Sequence, residues 1–178
     1  MKRFTDAGRL ALKDGNLYAA LSLALMMPDI CASLEDPGQG KSQRRYVRWC
    51  KKWVEPKFTS PEDGHIFVTA EDCYQLRCSL IHSGSATIAP DKQRAISRFE
   101  FFEPAMRIHL VSVQGAVING VPQPSFVGLQ TDLFSEEMFR GAEEWDAAMI
   151  GDAAIQSEKA KLLVIRLKGT AISGIRFG

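Results

Sequence analysis

The residues from Leu17 to Leu34 carry a single charge, Asp29, and the longest apolar run among them, Leu17 to Met27, ends at Pro28. Asp29 and then Glu35 and Asp36 follow, so the run stops short of the about 18 apolar residues that cross a bilayer, and no membrane span is expected. Asn16 is placed to cap a helix running from there to about Leu34, the most apolar helix of the chain. Pro28 is expected to kink or break it, because proline lacks the amide hydrogen and crowds the preceding turn. With 178 residues, 46% of them hydrophobic and 24% charged, the chain is long enough to bury a sizeable core within one domain. The start, Met1-Lys2-Arg3, is basic like a signal peptide, but Asp6, Arg9, Lys13 and Asp14 follow where an apolar core is required. A cytoplasmic location is the expectation.

Other helices flank this one. Residues 3 to 13 form a short helix ending near Asp14-Gly15, and after the loop Asp36-Pro37-Gly38-Gln39-Gly40 a third helix runs from about Ser42 to Val54, before Pro56. Tyr46, Trp49, Cys50 and Trp53 share the apolar face of the third helix, a spacing that favours core packing over base stacking for the two tryptophans. Thr69 caps a fourth helix, with Asp72 three residues on as a short-armed capping box, and Ser83-Gly84 ends it. Cys73, Leu76 and Leu80 form its core stripe. From about 95 to 131 the period changes. Ile96 to Phe102, Arg107 to Val113, Ala116 to Val121 and Phe126 to Leu129 read as short strands, and Asn119-Gly120 as a hairpin turn. Helical spacing returns from Asp132 to about Ile150 and from Ala153 to about Leu167. The expected fold is mainly α, a helical bundle in one domain over 1–178, with a small antiparallel β insertion at 95–131 after the fourth helix.

Net charge is only +1, but its distribution is uneven. Lys41, Arg44, Arg45, Arg48, Lys51, Lys52 and Lys57 stand against the lone Glu55, whereas the stretch 132 to 159 sets eight carboxylates against Arg140 and Lys159. Such a chain either turns one face to an anionic partner or joins its own opposite faces. If the third helix lies beside the fourth, Arg44, Arg45, Arg48 and Lys52 form an RNA-binding track. The four cysteines, Cys31, Cys50, Cys73 and Cys78, make no CxxC pair and read as reduced.

The fourth helix carries the residues best suited to chemistry. Arg77 and His82 are five steps apart, which on a straight helix sets them roughly 140° apart rather than on one face. They converge only if the helix loosens at His82 or if two copies meet about a two-fold axis. An imidazole that exchanges protons near neutral pH and a permanent cation that holds a phosphate are the parts needed to cleave RNA without a metal. Arg77 would bind the scissile phosphate and steady the charge of the transition state, with Ser79 or Tyr74 adding a hydrogen bond.

The segment Tyr74-Gln75-Leu76-Arg77-Cys78-Ser79-Leu80-Ile81-His82-Ser83-Gly84 resembles the signature of the HEPN superfamily: an Arg, a polar residue, a few mostly apolar residues and a His near a helix end. The helices at 16–35 and 42–54 resemble those that precede it in that family, while the stretch 95 to 131 has no counterpart. The resemblance implies a helical bundle that forms a homodimer, with catalytic Arg77 and His82 of both copies lining a cleft and Tyr74, Cys78, Ser79 and Ser83 in support. It implies metal-independent endoribonuclease activity of toxin or phage-defence type, with RNA as substrate, an antitoxin as a further partner and no cofactor. The residue after the Arg is commonly Asn, Asp or His in that family, and here it is Cys78, a poor hydrogen-bond donor. Either catalysis rests on Arg77 and His82 alone, or the chain is a non-catalytic RNA- or protein-binding module.

Other chemistries are weaker. Cys78 and His82 share a helix face with Cys73 nearby, but no second ligand pair completes a metal site. Gly38-Gln39-Gly40-Lys41-Ser42 ends like a phosphate-binding loop, yet its glycines are too close and no buried strand precedes it. His65 and His109 have no partner at metal or triad spacing.

Overall fold

The structure, a computed structural model, describes residues 1–38, 40, 42–88, 98–166, 171–172 and 175–176. The expected positions Gln39, Lys41, Ile96 and Leu167 lie outside the described residues.

Helix α1 (Lys2–Lys13) leads into α2 (Leu17–Glu35), whose first turn is capped as expected: the Asn16 side chain accepts a hydrogen bond from the Ala19 amide at 3.2 Å. Helix α2 runs on through Pro28 instead of breaking there. By length and composition its 19 residues pass the test for a membrane-crossing helix that Leu17 to Met27 alone does not meet. Here half of that stretch is buried inside the protein, with Ala24, Leu25, Met27, Cys31 and Ala32 fully inaccessible.

The remaining helices surround it. Helix α3 (Ser42–Trp53) presses Tyr46, Trp49 and Cys50 inward, and the Tyr46 hydroxyl donates to the Leu25 carbonyl at 3.1 Å. A short 3₁₀ turn at Glu55–Phe58 then leads to α4 (Ala70–Ser83). Both halves of the capping box are present, Thr69 Oγ1 accepting from the Asp72 amide and Asp72 Oδ2 accepting from the Thr69 amide. After the β segment come α5 (Thr131–Ala148) and α6 (Ala153–Ala160), both packed on α2. Trp145 on α5 donates its indole N–H to Glu35 at the end of α2, at 2.6 Å. Helix α6 stops at Ala160, seven residues before the expected Leu167; beyond it Leu163 and Ile165 face outward, so the apolar residues there have no core to pack against.

The β insertion is not purely antiparallel. Strands β1 (Arg98–Phe102), β2 (Val111–Val113) and β5 (Phe126–Gln130) form a sheet in the order β1-β5-β2, and β1 pairs with β5 in parallel. The reason is topological: residues 103–125 form a crossover long enough to return the chain to the same end, as a parallel pair requires. The expected strand at Arg107 to Val113 shrinks to β2, preceded by a 3₁₀ turn at Pro104–Met106. Strands β3 (Val117–Ile118) and β4 (Val121–Pro122) make the expected hairpin, with Asn119 at φ 51° and Gly120 at φ 79° in its turn. A further hairpin, β6 (Ala171–Ile172) with β7 (Ile175–Arg176), was not expected from the sequence.

The acidic stretch is tied to α1 and, at one point, to the basic stretch. Arg9 forms paired bonds to Glu136 and Glu143 at 2.6 to 2.9 Å, and Lys57 pairs with Glu144 at 2.6 Å. The Arg9 guanidinium accordingly holds the Glu143 carboxyl below its usual range.

Two features of this packing predict measurable behaviour. A Cβ on Gly141 would lie 2.8 Å from the Trp53 carbonyl oxygen and 3.1 Å from Val54 Cγ2, so Gly141→Ala forces α5 away from the end of α3. It is expected to lower unfolding free energy in urea by about 1–3 kcal/mol, whereas Gly151→Ala, with nothing within 4 Å, changes it little. Equal effects would overturn the packing argument. His109 Nδ1 accepts the Gln130 amide at 3.1 Å, and burial holds its pKa below the ordinary value, more than Asp132 and Glu137 offset. The folded state therefore binds this proton less readily than the unfolded chain. The stability involved is fully present above about pH 6.5 and is lost as pH falls through the lower folded pKa. His109→Asn, which keeps an acceptor but does not titrate, should flatten that decline; an unchanged decline would remove His109 as its source.

Candidate functional site

The site begins with α4. Its capped N-terminus and the inward stripe of Cys73 and Leu76 fix its rotation, which leaves Tyr74, Arg77 and Cys78 half-buried at the seams with α2 and α3. Arg77 Nε donates to Asp29 Oδ2 at 2.7 Å, with 22% and 25% of the two side chains exposed. Partial burial on its own pulls the Arg77 pKa down, but the charge and hydrogen bond of Asp29 more than reverse this and keep the guanidinium protonated. Asp29 is the charge that interrupts the apolar surface of α2, and it lies directly after Pro28.

His82 is at the other end of the reach. It is exposed in the last turn of α4, and the helix stays regular to Ser83. Gly84, at φ 62°, then closes it by donating to Leu80, so the helix does not loosen at His82 to bring it round to Arg77. Within one copy the two residues face different directions. The two serines serve the helix end: Ser79 Oγ donates to the Thr87 carbonyl at 2.9 Å and Ser83 Oγ to the Ser79 carbonyl at 2.7 Å. Their oxygens remain able to accept. Burial lifts the Tyr74 phenol above its ordinary pKa, Ser42 opposes that rise and Cys78 adds to it, so the hydroxyl keeps its proton and can donate a hydrogen bond. Its ring meets Tyr46 edge-on at 5.5 Å.

The four expected RNA-binding residues separate into different surroundings. Arg45 donates to the carbonyls of Asp36 and Gly38 at 2.7 and 2.6 Å, where it holds the loop after α2. Lys52 lies over the Trp53 ring at 4.7 Å. Arg44 and Arg48 line a groove of about 850 Å³ between α3 and α4, together with Lys51, Glu71 and Tyr74. Arg48 stands 3.7 Å from Glu35 and 3.6 Å from Asp36, and Lys51 is 3.0 Å from Glu71.

No family model, no curated protein and no solved structure matches this chain.

The cysteine and histidine of the alternative metal site are dispersed, Cys73 being buried and His82 exposed. Among the described residues no three His, Cys, Asp or Glu side chains are grouped to hold a metal ion. Asp29 and Lys51 were missed as site residues by sequence reasoning. Lys51 was legible as part of the basic stretch, whereas Asp29 gave only the signal of a charge in an otherwise apolar helix.

The Arg77–Asp29 contact predicts strong coupling. Asp29→Ala leaves a half-buried guanidinium without its partner and should cost about 1–3 kcal/mol in urea unfolding, less than a fully buried pair because about a quarter of each side chain meets water. In a double-mutant cycle with Arg77→Met, a coupling energy above about 0.5 kcal/mol is expected; additive losses would show that the two charges do not depend on each other.

Proposed function

We propose that the chain is a HEPN-like endoribonuclease of toxin or phage-defence type, acting on RNA without a metal through Arg77 and His82 in a homodimer. The observation that carries this reading is the contrast between the two motif residues. Arg77 is held by Asp29 through Nε, while His82 stands exposed on the last turn of the same helix. A guanidinium gripped at Nε keeps its outer edge for a phosphate, and an exposed imidazole is accessible to a substrate bound by a second copy.

In this reading His82 of one copy takes the proton of a ribose 2′-hydroxyl as the 2′-oxygen attacks phosphorus. His82 of the other copy gives a proton to the departing 5′-oxygen. The products are a 2′,3′-cyclic phosphate and a 5′-hydroxyl, and Arg77 steadies the charge on the phosphoryl oxygens between them. An antitoxin protein would restrain such an enzyme.

A second reading is favoured by one specific feature. Cys78 follows the Arg, and Asp29 already offsets its charge, an arrangement that also suits a non-catalytic module binding RNA or protein.

Purified protein incubated with total RNA and EDTA should cleave it, and Arg77→Ala and His82→Ala should each reduce the rate by about 100-fold or more. Equal cleavage by all three proteins would sink the enzymatic reading; no cleavage by the unaltered chain, with RNA bound equally by His82→Ala, would establish the binding module.

A further inference from the structure

We infer that the groove between α3 and α4 is a binding site for single-stranded RNA, with phosphates along α3 and a base against Tyr74. This deepens the RNA-handling reading above and rests on it. Arg44, Arg48 and Lys51 follow one another at helical spacings of four and three, which puts them on a single stripe of α3 spanning about 10 Å along its axis. The stripe borders a shallow, open groove of about 850 Å³, and its three side chains are exposed to solvent there.

The lining of the groove itself carries Arg44, Arg48 and Lys51 against one carboxylate, Glu71, which Lys51 engages at 3.0 Å, while Glu35 and Asp36 pair with Arg48 from its edge, so the unbalanced cation is Arg44. Arg48 is ion-paired with Glu35 and Asp36 at 3.6 to 3.7 Å, partly exposed contacts loose enough to be exchanged for a phosphate. Arg44 is exposed and has no carboxylate partner among the described residues. The opposite wall supplies the aromatic half-buried ring of Tyr74, one turn before Arg77 on α4. A cationic track facing an aromatic platform is the arrangement that holds single strands with little regard to sequence. A duplex keeps its bases stacked away from side chains, so an aromatic platform favours a single strand. A strand lying here would pass from Tyr74 towards Arg77, so the groove would deliver substrate to the motif.

The test uses the full chain carrying His82→Ala, so that RNA survives, and a fluorescent oligouridine read by anisotropy in EDTA over a range of salt. Arg44→Gln and Lys51→Gln should each weaken binding by about tenfold and lower the salt slope by about one. Tyr74→Phe should retain binding and Tyr74→Leu lose about tenfold. Glu71→Gln should tighten binding, which loss of structure would not do. Lys13→Gln, on α1, should change nothing. Binding lost equally by Lys13→Gln, no tightening by Glu71→Gln, duplex RNA bound as tightly as the single strand, or no RNA binding at all would each overturn the groove. Cleavage by the unaltered chain with groove variants that bind normally would sink the groove and leave the ribonuclease reading standing. Groove variants that lose binding in a chain that never cleaves would do the reverse.

Discussion

Helix α2 has little polar surface to offer water, and that constraint organises the molecule. Its buried residues fall at 20, 21, 24, 25, 27, 28, 31, 32 and 34, spread over more than one face, so one neighbouring helix cannot cover them. Helices α1, α3, α4, α5 and α6 all pack on it. Burial of this kind is worth about 25 cal/mol for each Å² of apolar surface and sets no orientation by itself. Orientation comes from directed contacts: Tyr46 to the Leu25 carbonyl inside the core, and Trp145 to Glu35 and Arg77 to Asp29 where the partners are part-buried. Each couples a different neighbour to a different turn of α2.

The same arrangement explains the segregated charge. The acidic helix α5 lies against α1, and Arg9 bridges Glu136 and Glu143 so closely that the three act as one unit. Of the two possibilities that the sequence left open, joining of opposite faces therefore accounts for much of the acidic stretch. It accounts for less of the basic one. Lys57 and Arg45 are taken up by Glu144 and by loop carbonyls, while Arg44 stays unpaired among the described residues. Surface ion pairs such as Lys51 with Glu71 contribute little to stability, so they are easily exchanged for contacts to another anion.

What could be read from the sequence was what local chemistry decides. Asn16, the Thr69 and Asp72 box, and the Asn119-Gly120 turn act within three or four residues, and each was legible. So were the order of the helices and the change of period near 95. Pairings between distant segments were not. Asp29 and Arg77 are separated by 48 positions, and no local pattern announces that they meet. The parallel pairing of β1 with β5 is likewise a property of the crossover and of the buried position of β5 between two neighbours. The early end of α6 reflects apolar residues that find nothing to pack against, which their spacing does not reveal.

The motif helix shows how far local geometry constrains chemistry. Each residue turns an α-helix by about 100°, and α4 keeps that pitch to its closing glycine, so the 140° between Arg77 and His82 is not relieved within one copy. Asp29 holds the arginine further still, drawing it to the seam with α2 while the histidine faces out. A reaction that requires both groups at one phosphate must then take them from two chains or from a large rearrangement, and the second would break the half-buried ion pair. Two copies related by a two-fold axis would satisfy the requirement without that loss, since a symmetry that brought one histidine to one arginine would bring the other pair together as well. A spacing that makes the motif incomplete in a monomer is therefore a reason to look for its complement in a second copy.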